Sequence, residues 1–247
     1  MPPLPLTGQR ALVAGGSRGI GFGIALGLAR AGAHVAICAR GQNGLDDAAE
    51  GLTVHTATCD LADATQLARW VEEAASALGG IDILVNNASG FGSGGSEADW
   101  EASLQVDLMG TVRASRAALP WLRQSRQPAI LNVSSINGLV PTPRTVAYST
   151  AKAALNYYTT ALATELAPEK IRVNAIAPGS IEFEGGLWER RRTEAPELYA
   201  RIAARIPFGG FGEVDAVADA AVFLCGPSAR WITGQILAVD GGQSLPG

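Results

Sequence analysis

Short apolar runs alternate along the chain with longer segments of helical character, and this alternation restricts the possible folds most strongly. In the first helical segment Ile20, Ile24 and Leu28 recur one turn apart, the spacing of a helix that buries one face. Strands that alternate with helices of this length form βαβ units around a parallel sheet. The sequence therefore predicts an α/β protein with a doubly wound, Rossmann-type parallel sheet and helices on both faces. The predicted strands cover residues 10–14, 34–39, 54–58, 83–86, 129–134 and 172–176.

The domain organisation is expected to be simple. No linker and no change of composition divides the 247 residues, so we expect a single domain over residues 1–247. The segment 180–212 breaks the alternation because it is rich in charge, glycine and aromatic residues. Ligands of such sheets bind at the carboxyl ends of the strands, so this segment is predicted to form a substrate lid there.

Charge and composition exclude several classes of function. A net charge of -4 and a pI near 5.3 argue against a nucleic-acid partner, and the basic run 190–192 is expected to be a solvated helix face. No apolar run is long enough to span a bilayer and no signal peptide is visible, so we expect a cytoplasmic protein without a membrane partner. The cysteines, Cys38, Cys59 and Cys225, form no C-x-x-C motif, which predicts buried free thiols and no metal site.

A glycine-rich stretch, GGSRGIG at residues 15–21, joins the first predicted strand to the first predicted helix. Glycines allow a sharp turn and a close approach of the backbone to a pyrophosphate, and a helix N-terminus attracts the negative charge. A purely structural turn is the alternative interpretation. The order of strand, loop and helix favours dinucleotide binding.

The end of the second predicted strand indicates which dinucleotide binds. Sites for NAD place a carboxylate near this point to hold the ribose 2′-hydroxyl, whereas this chain has Ala39 and Arg40. Arg40 and Arg18 together suit a 2′-phosphate, because guanidinium groups bind phosphate through paired, charge-assisted hydrogen bonds. Two ordinary surface arginines are the alternative interpretation, but the two positions favour NADP(H) as the cofactor.

Tyr148 and Lys152 lie four positions apart, on one face of a predicted helix. Only two lysines occur in the chain, Lys152 and Lys170, so a lysine one turn beyond a tyrosine is notable. An ammonium group near a phenol favours the phenolate and suits the tyrosine for general acid–base work. A surface pair without function is the alternative. Ser135 ends the fifth predicted strand, where its hydroxyl points into a cleft or caps the next turn.

The ordered motifs resemble those of the classical short-chain dehydrogenase/reductase family, in particular its 3-oxoacyl-acyl-carrier-protein reductases. Ser135 precedes Tyr148 by 13 positions, as the catalytic serine of that family does. The other matching motifs are the glycine loop 15–21, Asp60–Leu61, Asn86–Asn87–Ala88, Tyr148 with Lys152, Asn174 with Pro178–Gly179, and Thr233–Gly234 with Asp240–Gly241–Gly242.

The resemblance implies roles for these residues. Tyr148 exchanges a proton with the substrate oxygen, Lys152 lowers the pKa of Tyr148 and binds the nicotinamide ribose, and Ser135 stabilises the substrate oxygen. It also implies a homotetramer and a hydride transfer that the cofactor performs. The implied cofactor-binding residues are Gly15, Ser17, Arg18, Gly19, Ile20, Gly21, Arg40, Asp60, Leu61, Asn87, Ala88, Tyr148, Lys152, Pro178, Gly179 and Ile181.

The chain departs from the family pattern near the expected site. Asp107 stands where the family has a catalytic asparagine that holds a water of the proton relay. A carboxylate near Lys152 is expected to offset part of the effect of the lysine on Tyr148, so we expect Asp107 to keep a relay role with altered pH dependence. A packing or capping role is the alternative. Phe183 replaces a threonine that contacts the nicotinamide carboxamide, and Ala14 and Ser89 replace the usual Thr and Gly.

These features lead to two hypotheses of different class. The first is an NADP(H)-dependent oxidoreductase that transfers hydride between the nicotinamide and a small carbonyl or secondary-alcohol substrate, with Tyr148 as general acid and base. The second is a nucleotide-binding scaffold or regulator that keeps the fold without the catalysis. The complete set of Ser135, Tyr148 and Lys152 favours the enzyme, because a pure binder needs no tuned phenol.

Overall fold

The computed structural model describes residues 4–50 and 54–246. Its sheet has seven strands, all parallel, in the order β3-β2-β1-β4-β5-β6-β7. The order reverses beside β1, which is the doubly wound arrangement, so the predicted fold class is confirmed. The strands are β1 (Arg10–Ala14), β2 (His34–Ala39), β3 (Val54–Thr58), β4 (Ile83–Asn86), β5 (Ala129–Val133), β6 (Arg172–Pro178) and β7 (Ile236–Val239).

The predicted strands match the observed ones with small differences at their ends. Strand β5 ends at Val133, one residue earlier than predicted, and β6 continues to Pro178. Strand β7 was not predicted, because it is only four residues long. It pairs with β6 from Ala175↔Ile236 onwards and closes one edge of the sheet.

Helices cover both faces of the sheet. A π-helical segment, Ser103–Gly110, separates the helices Glu97–Ala102 and Thr111–Leu122, so the winding changes along this stretch. Such segments are rare and occur often at functional sites. The helices are α1 (Gly19–Arg30), α2 (Gln42–Glu50), α3 (Ala64–Leu78), α4 (Glu97–Ala102), α5 (Thr111–Leu122), α6 (Val146–Leu166), α7 (Leu187–Glu194), α8 (Pro196–Ala203) and α9 (Val214–Cys225).

Two hydrophobic cores lie on opposite faces of the sheet. Alternate residues of β1 point to different cores, Val13 to the one beneath α1 and α9, and Leu12 to the one beneath α3, α5 and α6. Both strand residues are fully buried, which explains why the strands are apolar along their whole length. The cores hold the strand ends in fixed positions, and the loops at the carboxyl edge build on them.

The three cysteines, Cys38, Cys59 and Cys225, are buried free thiols, as predicted. Burial raises the pKa of Cys225 to about 12, because the thiolate is disfavoured away from water. Among the helices that the structure describes, none is both long and apolar enough to cross a lipid bilayer.

A chain of buried side-chain hydrogen bonds ties helix α6 to the middle of the sheet. The amide of Asn86 donates to Asn132 on the neighbouring strand at 2.9 Å, and the amide of Asn132 donates to the hydroxyl of Thr159 at 2.9 Å. All three side chains are buried, so these partners replace water. The chain fixes the position of α6 on the sheet, and α6 carries Tyr148 and Lys152.

The amino edge of the sheet contains an ion pair between Arg10 and Asp82, with 2.7 Å between Nε and Oδ2. Burial raises the pKa of Asp82, but the hydrogen bonds from Arg10 and from the hydroxyl of Ser125 outweigh it, and the net pKa is lowered. The charged carboxylate is therefore favoured by the folded state. Its contribution to stability is complete above the pKa of the unfolded chain and is lost as the pH falls below it.

We predict that Asp82→Ala lowers the free energy of unfolding by about 2 kcal/mol at neutral pH, somewhat less than for a fully buried pair because Arg10 is partly exposed. Urea unfolding checks this value. The difference between the variant and the wild type is expected to shrink at pH values below about 4, where the unfolded-state carboxyl is protonated. A difference that is equal at both pH values contradicts the account. The exposed pair of Arg123 and Glu169 supplies a control, since Glu169→Ala is expected to change the unfolding midpoint little.

Candidate active site

The carboxyl edge of the sheet brings Ser135, Tyr148, Lys152 and Asp107 together. Ser135 follows β5, Tyr148 and Lys152 lie on the first turns of α6, and Asp107 lies in the π-helical segment. The order of the chain separates these elements widely, and only the parallel sheet places their ends side by side.

Lys152 is held in a buried ion pair with Asp107. The distance between Nζ and Oδ1 is 2.9 Å, and the two side chains are 2% and 0% exposed. The ammonium group also donates to the carbonyl oxygen of Val133, at the end of β5, at 2.8 Å. Burial lowers the pKa of Lys152 most, but the charges of Asp107 and Tyr148 and the hydrogen bond to Asp107 together outweigh burial, and the net pKa is raised. Lys152 is therefore a fixed positive charge.

Asp107 also holds the loop that follows β4. Its second oxygen, Oδ2, accepts a hydrogen bond from the backbone N–H of Gly90 at 2.9 Å. The carboxylate thus joins three elements: the π-helical segment, helix α6 and the loop after β4. Asp107 was expected to lie near Lys152, and the two side chains are in direct contact.

Tyr148 lies beside these charges, with Nζ of Lys152 5.5 Å from the centre of its ring. Burial raises the pKa of the Tyr148 phenol, the charge of Lys152 lowers it, the charge of Asp107 raises it and the hydroxyl of Ser135 lowers it. The net result is a pKa above the ordinary value. Lys152 acts on Tyr148 in the expected direction and Asp107 offsets part of its effect, but burial raises the pKa more than Lys152 lowers it. The expected net lowering of the phenol pKa is therefore not found, and the protonated phenol is favoured in the protein without cofactor.

Ser135 caps the turn that follows it, which is one of the two roles left open for it. Its Oγ accepts a hydrogen bond from the N–H of Asn137 at 3.2 Å, which caps the following turn. The same hydroxyl is the hydrogen-bond partner that lowers the pKa of Tyr148. The neighbouring Ser134 instead points to α6 and donates to the carbonyl oxygen of Lys152 at 3.4 Å.

The glycine loop is moulded against the end of β4. Gly15 adopts a φ of +80°, and a Cβ there would lie 2.8 Å from the Cα of Ala88, so no other residue fits. The side chain of Asn87 donates to the carbonyl oxygen of Gly15 at 2.7 Å. Asn87 and Ala88 therefore contact the glycine loop and hold it in its conformation. Gly15, Ser17, Gly19, Ile20 and Gly21 all lie in this loop or at the start of α1.

This loop suits the phosphates of a dinucleotide. Helix α1 begins at Gly19, and no side chain caps its first N–H groups. Arg18 and Arg40 border the loop and are exposed, and neither forms an ion pair or a side-chain hydrogen bond within residues 4–50 and 54–246. A helix N-terminus with two uncommitted guanidinium groups nearby fits a polyanion.

The remaining predicted cofactor residues lie along the same edge. Asp60 follows β3 and accepts from the N–H of Ala62 at 3.0 Å, while Leu61 is buried against the core. Pro178 ends β6, and the N–H of Gly179 donates to Val239 at 3.0 Å. Ile181 forms an isolated bridge with Gly212 that uses its neighbours' backbone atoms, so its own N–H is not part of that bridge.

The segment 180–212 starts and ends at this bridge and contains α7 and α8. Inside it Trp188 and Tyr199 both pack against Phe211, with ring centres 4.8 and 4.5 Å apart. Phe183 packs over the glycine loop, since a Cβ on Gly19 would lie 2.5 Å from its ring. Phe183, which replaces the usual threonine, therefore contacts the glycine loop and joins the segment 180–212 to it.

Phe91 is a residue of the site that the sequence did not reveal. Its ring centre lies 5.1 Å from that of Tyr148, and its φ is +46°, in the left-handed region. The only sequence signal near it is the glycine content of residues 90–95.

Within the described ranges no cluster of histidine, cysteine or carboxylate side chains has the geometry of a metal site.

Comparisons with known proteins support a common family for this chain. The model of the family described as enoyl-(acyl carrier protein) reductase matches residues 14–244. Isoepoxydon dehydrogenase of Penicillium expansum is 36% identical over 96% of the chain and 95% of its own length. A 3-oxoacyl-(acyl-carrier-protein) reductase of Aquifex aeolicus is 36% identical over 97% of the chain and 99% of its own length.

The fold has close counterparts among solved structures. A short-chain oxidoreductase from Pseudomonas aeruginosa PAO1, solved with NADPH bound and described as containing an atypical catalytic center, matches with a TM-score of 0.89. It is 34% identical, and the match covers 99% of this chain and all of the other. The likeness therefore extends to the whole architecture, including the segment 180–212.

Proposed function

Because the chain belongs to the short-chain dehydrogenase/reductase family of oxidoreductases, we propose that it is an NADPH-dependent carbonyl reductase. The single observation that carries this proposal is the meeting of Ser135, Tyr148 and the buried Lys152 at the carboxyl edge of the sheet. The NADPH complex of the Pseudomonas aeruginosa relative supports the choice of cofactor.

The residues around the glycine loop suit the binding of NADP(H). The N-terminus of α1 would hold the pyrophosphate, and Arg18 and Arg40 would hold the 2′-phosphate. Asp60 and Leu61 would hold the adenine, and the backbone of Pro178, Gly179 and Ile181 would hold the nicotinamide. Asn87 and Ala88 hold the loop in shape. When bound, the cofactor supplies the hydride that reduces the carbonyl carbon.

The side chains of the site control the proton. Tyr148 donates its phenolic proton to the substrate oxygen as charge develops on that atom. Ser135 donates a second hydrogen bond to the same oxygen and stabilises the charge. Lys152 stabilises the phenolate that remains, and Asp107 keeps Lys152 charged and in place.

The protonated phenol favours reduction at neutral pH. A general acid must carry its proton before the reaction, and the raised pKa of Tyr148 ensures this. The reverse reaction, oxidation of an alcohol, needs the phenolate and is expected to accelerate only at alkaline pH.

The segment 180–212 forms the lid over the substrate, with the aromatic cluster of Trp188, Tyr199 and Phe211 inside it.

The homotetramer that the resemblance implies remains a prediction, which light scattering checks. Trp231 is 97% exposed in the single chain, and Leu237 of the edge strand β7 is also exposed. Both side chains lie in the C-terminal segment, which the resemblance implies at a subunit contact. A monomer at working concentration contradicts this assembly.

We predict that NADPH binds at least about tenfold more tightly than NADH, which corresponds to about 1.4 kcal/mol from the 2′-phosphate contacts. Quenching of tryptophan fluorescence measures both affinities. Arg18→Ala and Arg40→Ala are expected to weaken NADPH binding and leave NADH binding unchanged. Arg126→Ala, at the opposite edge of the sheet, is the control. Equal binding of the two nucleotides by the wild type contradicts the phosphate site.

Tyr148→Phe is expected to lower the turnover of ketones with NADPH by a factor of about 10² to 10⁴, because the variant lacks the general acid. The affinity for NADPH is expected to stay within about twofold. Tyr157, which lies on the same helix and is 77% exposed, provides the control variant Tyr157→Phe. Turnover that survives Tyr148→Phe overturns the assigned role. Wild-type protein that binds NADPH but reduces no carbonyl favours the nucleotide-binding scaffold instead.

Asp107→Asn removes a negative charge that raises the pKa of Tyr148. The variant is therefore expected to have a lower phenol pKa, so that its reduction rate starts to fall at a lower pH than that of the wild type. Its alcohol oxidation is expected to rise at a lower pH for the same reason. The pH dependence of kcat tests both shifts, with Glu101→Gln on the exposed face of α4 as control. An unchanged profile contradicts the role of Asp107.

A further inference from the structure

The loop after β4 holds Phe91 in a costly backbone conformation at the wall of the active site. A φ of +46° places this residue in the left-handed region, which is unfavourable for a residue with a Cβ. Conformations of this kind persist only where the surroundings impose them, and they concentrate at functional sites.

Buried side chains of the neighbouring helix impose this conformation. Asp107 accepts from the N–H of Gly90 at 2.9 Å, and Ser103 accepts from the N–H of Gly92 at 3.2 Å. Phe91 is thus pinned on both sides, and its own N–H donates to the hydroxyl of Ser89 at 3.0 Å. Ser103 and Asp107 are both buried, so these anchors are rigid. Ser89 stands where the family usually has glycine, and it supplies the hydroxyl for this turn.

The pinned residue places an aromatic face beside the catalytic phenol. The rings of Phe91 and Tyr148 are tilted by 58°, with 5.1 Å between their centres. Although it contacts Tyr148, the Phe91 side chain is 46% exposed, so a large apolar surface stays open to solvent at the reaction centre. Open apolar surface at such a place is typical of a ligand wall.

Other exposed apolar residues flank the catalytic groups along the chain. Leu139 and Val140 follow Ser135 within a few positions, and Val146 precedes Tyr148 by two. Their exposed fractions are 43%, 36% and 44%. The segments that carry Tyr148 and Ser135 therefore present apolar side chains as well.

From this arrangement we infer that Phe91 is a specificity-determining residue, which selects carbonyl substrates with a flat, apolar ring next to the carbonyl group. The inference rests on the proposed reductase function and adds the substrate class. A flat ring stacks on the exposed face of Phe91 while its carbonyl oxygen reaches Tyr148 and Ser135. Asp107 acts in this as a positioning residue, because one carboxylate holds both the loop of Phe91 and the catalytic lysine.

The test compares two ketones of equal carbon number, acetophenone and 2-octanone, by their kcat/KM values with NADPH. The wild type is expected to prefer acetophenone, and Phe91→Ala is expected to lower the ratio of the two values by about fivefold, the size of one aromatic pair. Phe91→Tyr keeps a ring and is expected to retain the ratio. Phe223, which is 43% exposed on α9, gives the matched control Phe223→Ala.

A ratio that is the same in Phe91→Ala and in the wild type overturns the inference. Failure of the reductase function itself is distinguished by a second measurement, the binding of acetophenone to protein saturated with NADP⁺, followed by NMR. Binding that weakens in Phe91→Ala and not in Phe223→Ala supports the aromatic wall even where no ketone is turned over. Binding that is equal in all three proteins contradicts it.

The strain is tested by a pair of variants that both lack the ring. Phe91→Gly is expected to unfold at a higher urea concentration than Phe91→Ala, because glycine adopts a φ of +46° without the cost. Equal midpoints show that the loop does not impose this backbone conformation, and they overturn the argument from strain.

Discussion

The buried ion pair between Lys152 and Asp107 is the contact on which the active site depends. Two charges removed from water are stable only when each is paired and hydrogen-bonded. Here the lysine also donates to β5, and the carboxylate also accepts from the loop after β4. These two side chains therefore join four elements: the sheet, helix α6, the π-helical segment and the loop after β4. Truncation of either side chain would leave the partner charge buried and unpaired and release several elements of the site together.

The same pair determines the charge around the phenol. A lysine alone would make Tyr148 more acidic, whereas a lysine neutralised by a neighbouring carboxylate does so less. Burial then dominates, and the phenol keeps its proton. Under the proposed function, this protonated phenol is the proton donor to the substrate oxygen.

Much of the fold and of the candidate site could be predicted from the sequence, because the sequence patterns that indicate them are local. The apolar strands, the glycine loop and the spacing of Ser135, Tyr148 and Lys152 all lie in short stretches of chain. The winding of residues 103–110 could not be predicted, since a π-helix has no periodic pattern over so few residues. The left-handed Phe91 was missed for a related reason: hydrogen bonds from a distant helix impose its conformation. Direct contact between Lys152 and Asp107 likewise depends on tertiary packing.

The central claim is that burial and Asp107 together keep Tyr148 protonated against the effect of Lys152. An ultraviolet titration of tyrosinate absorption measures this directly, as the difference between the wild type and Tyr148→Phe, both without cofactor. The account predicts that the pKa of Tyr148 lies above the ordinary phenol value of 10.0. A pKa below that value would show that Lys152 outweighs burial and Asp107, and it would contradict the account.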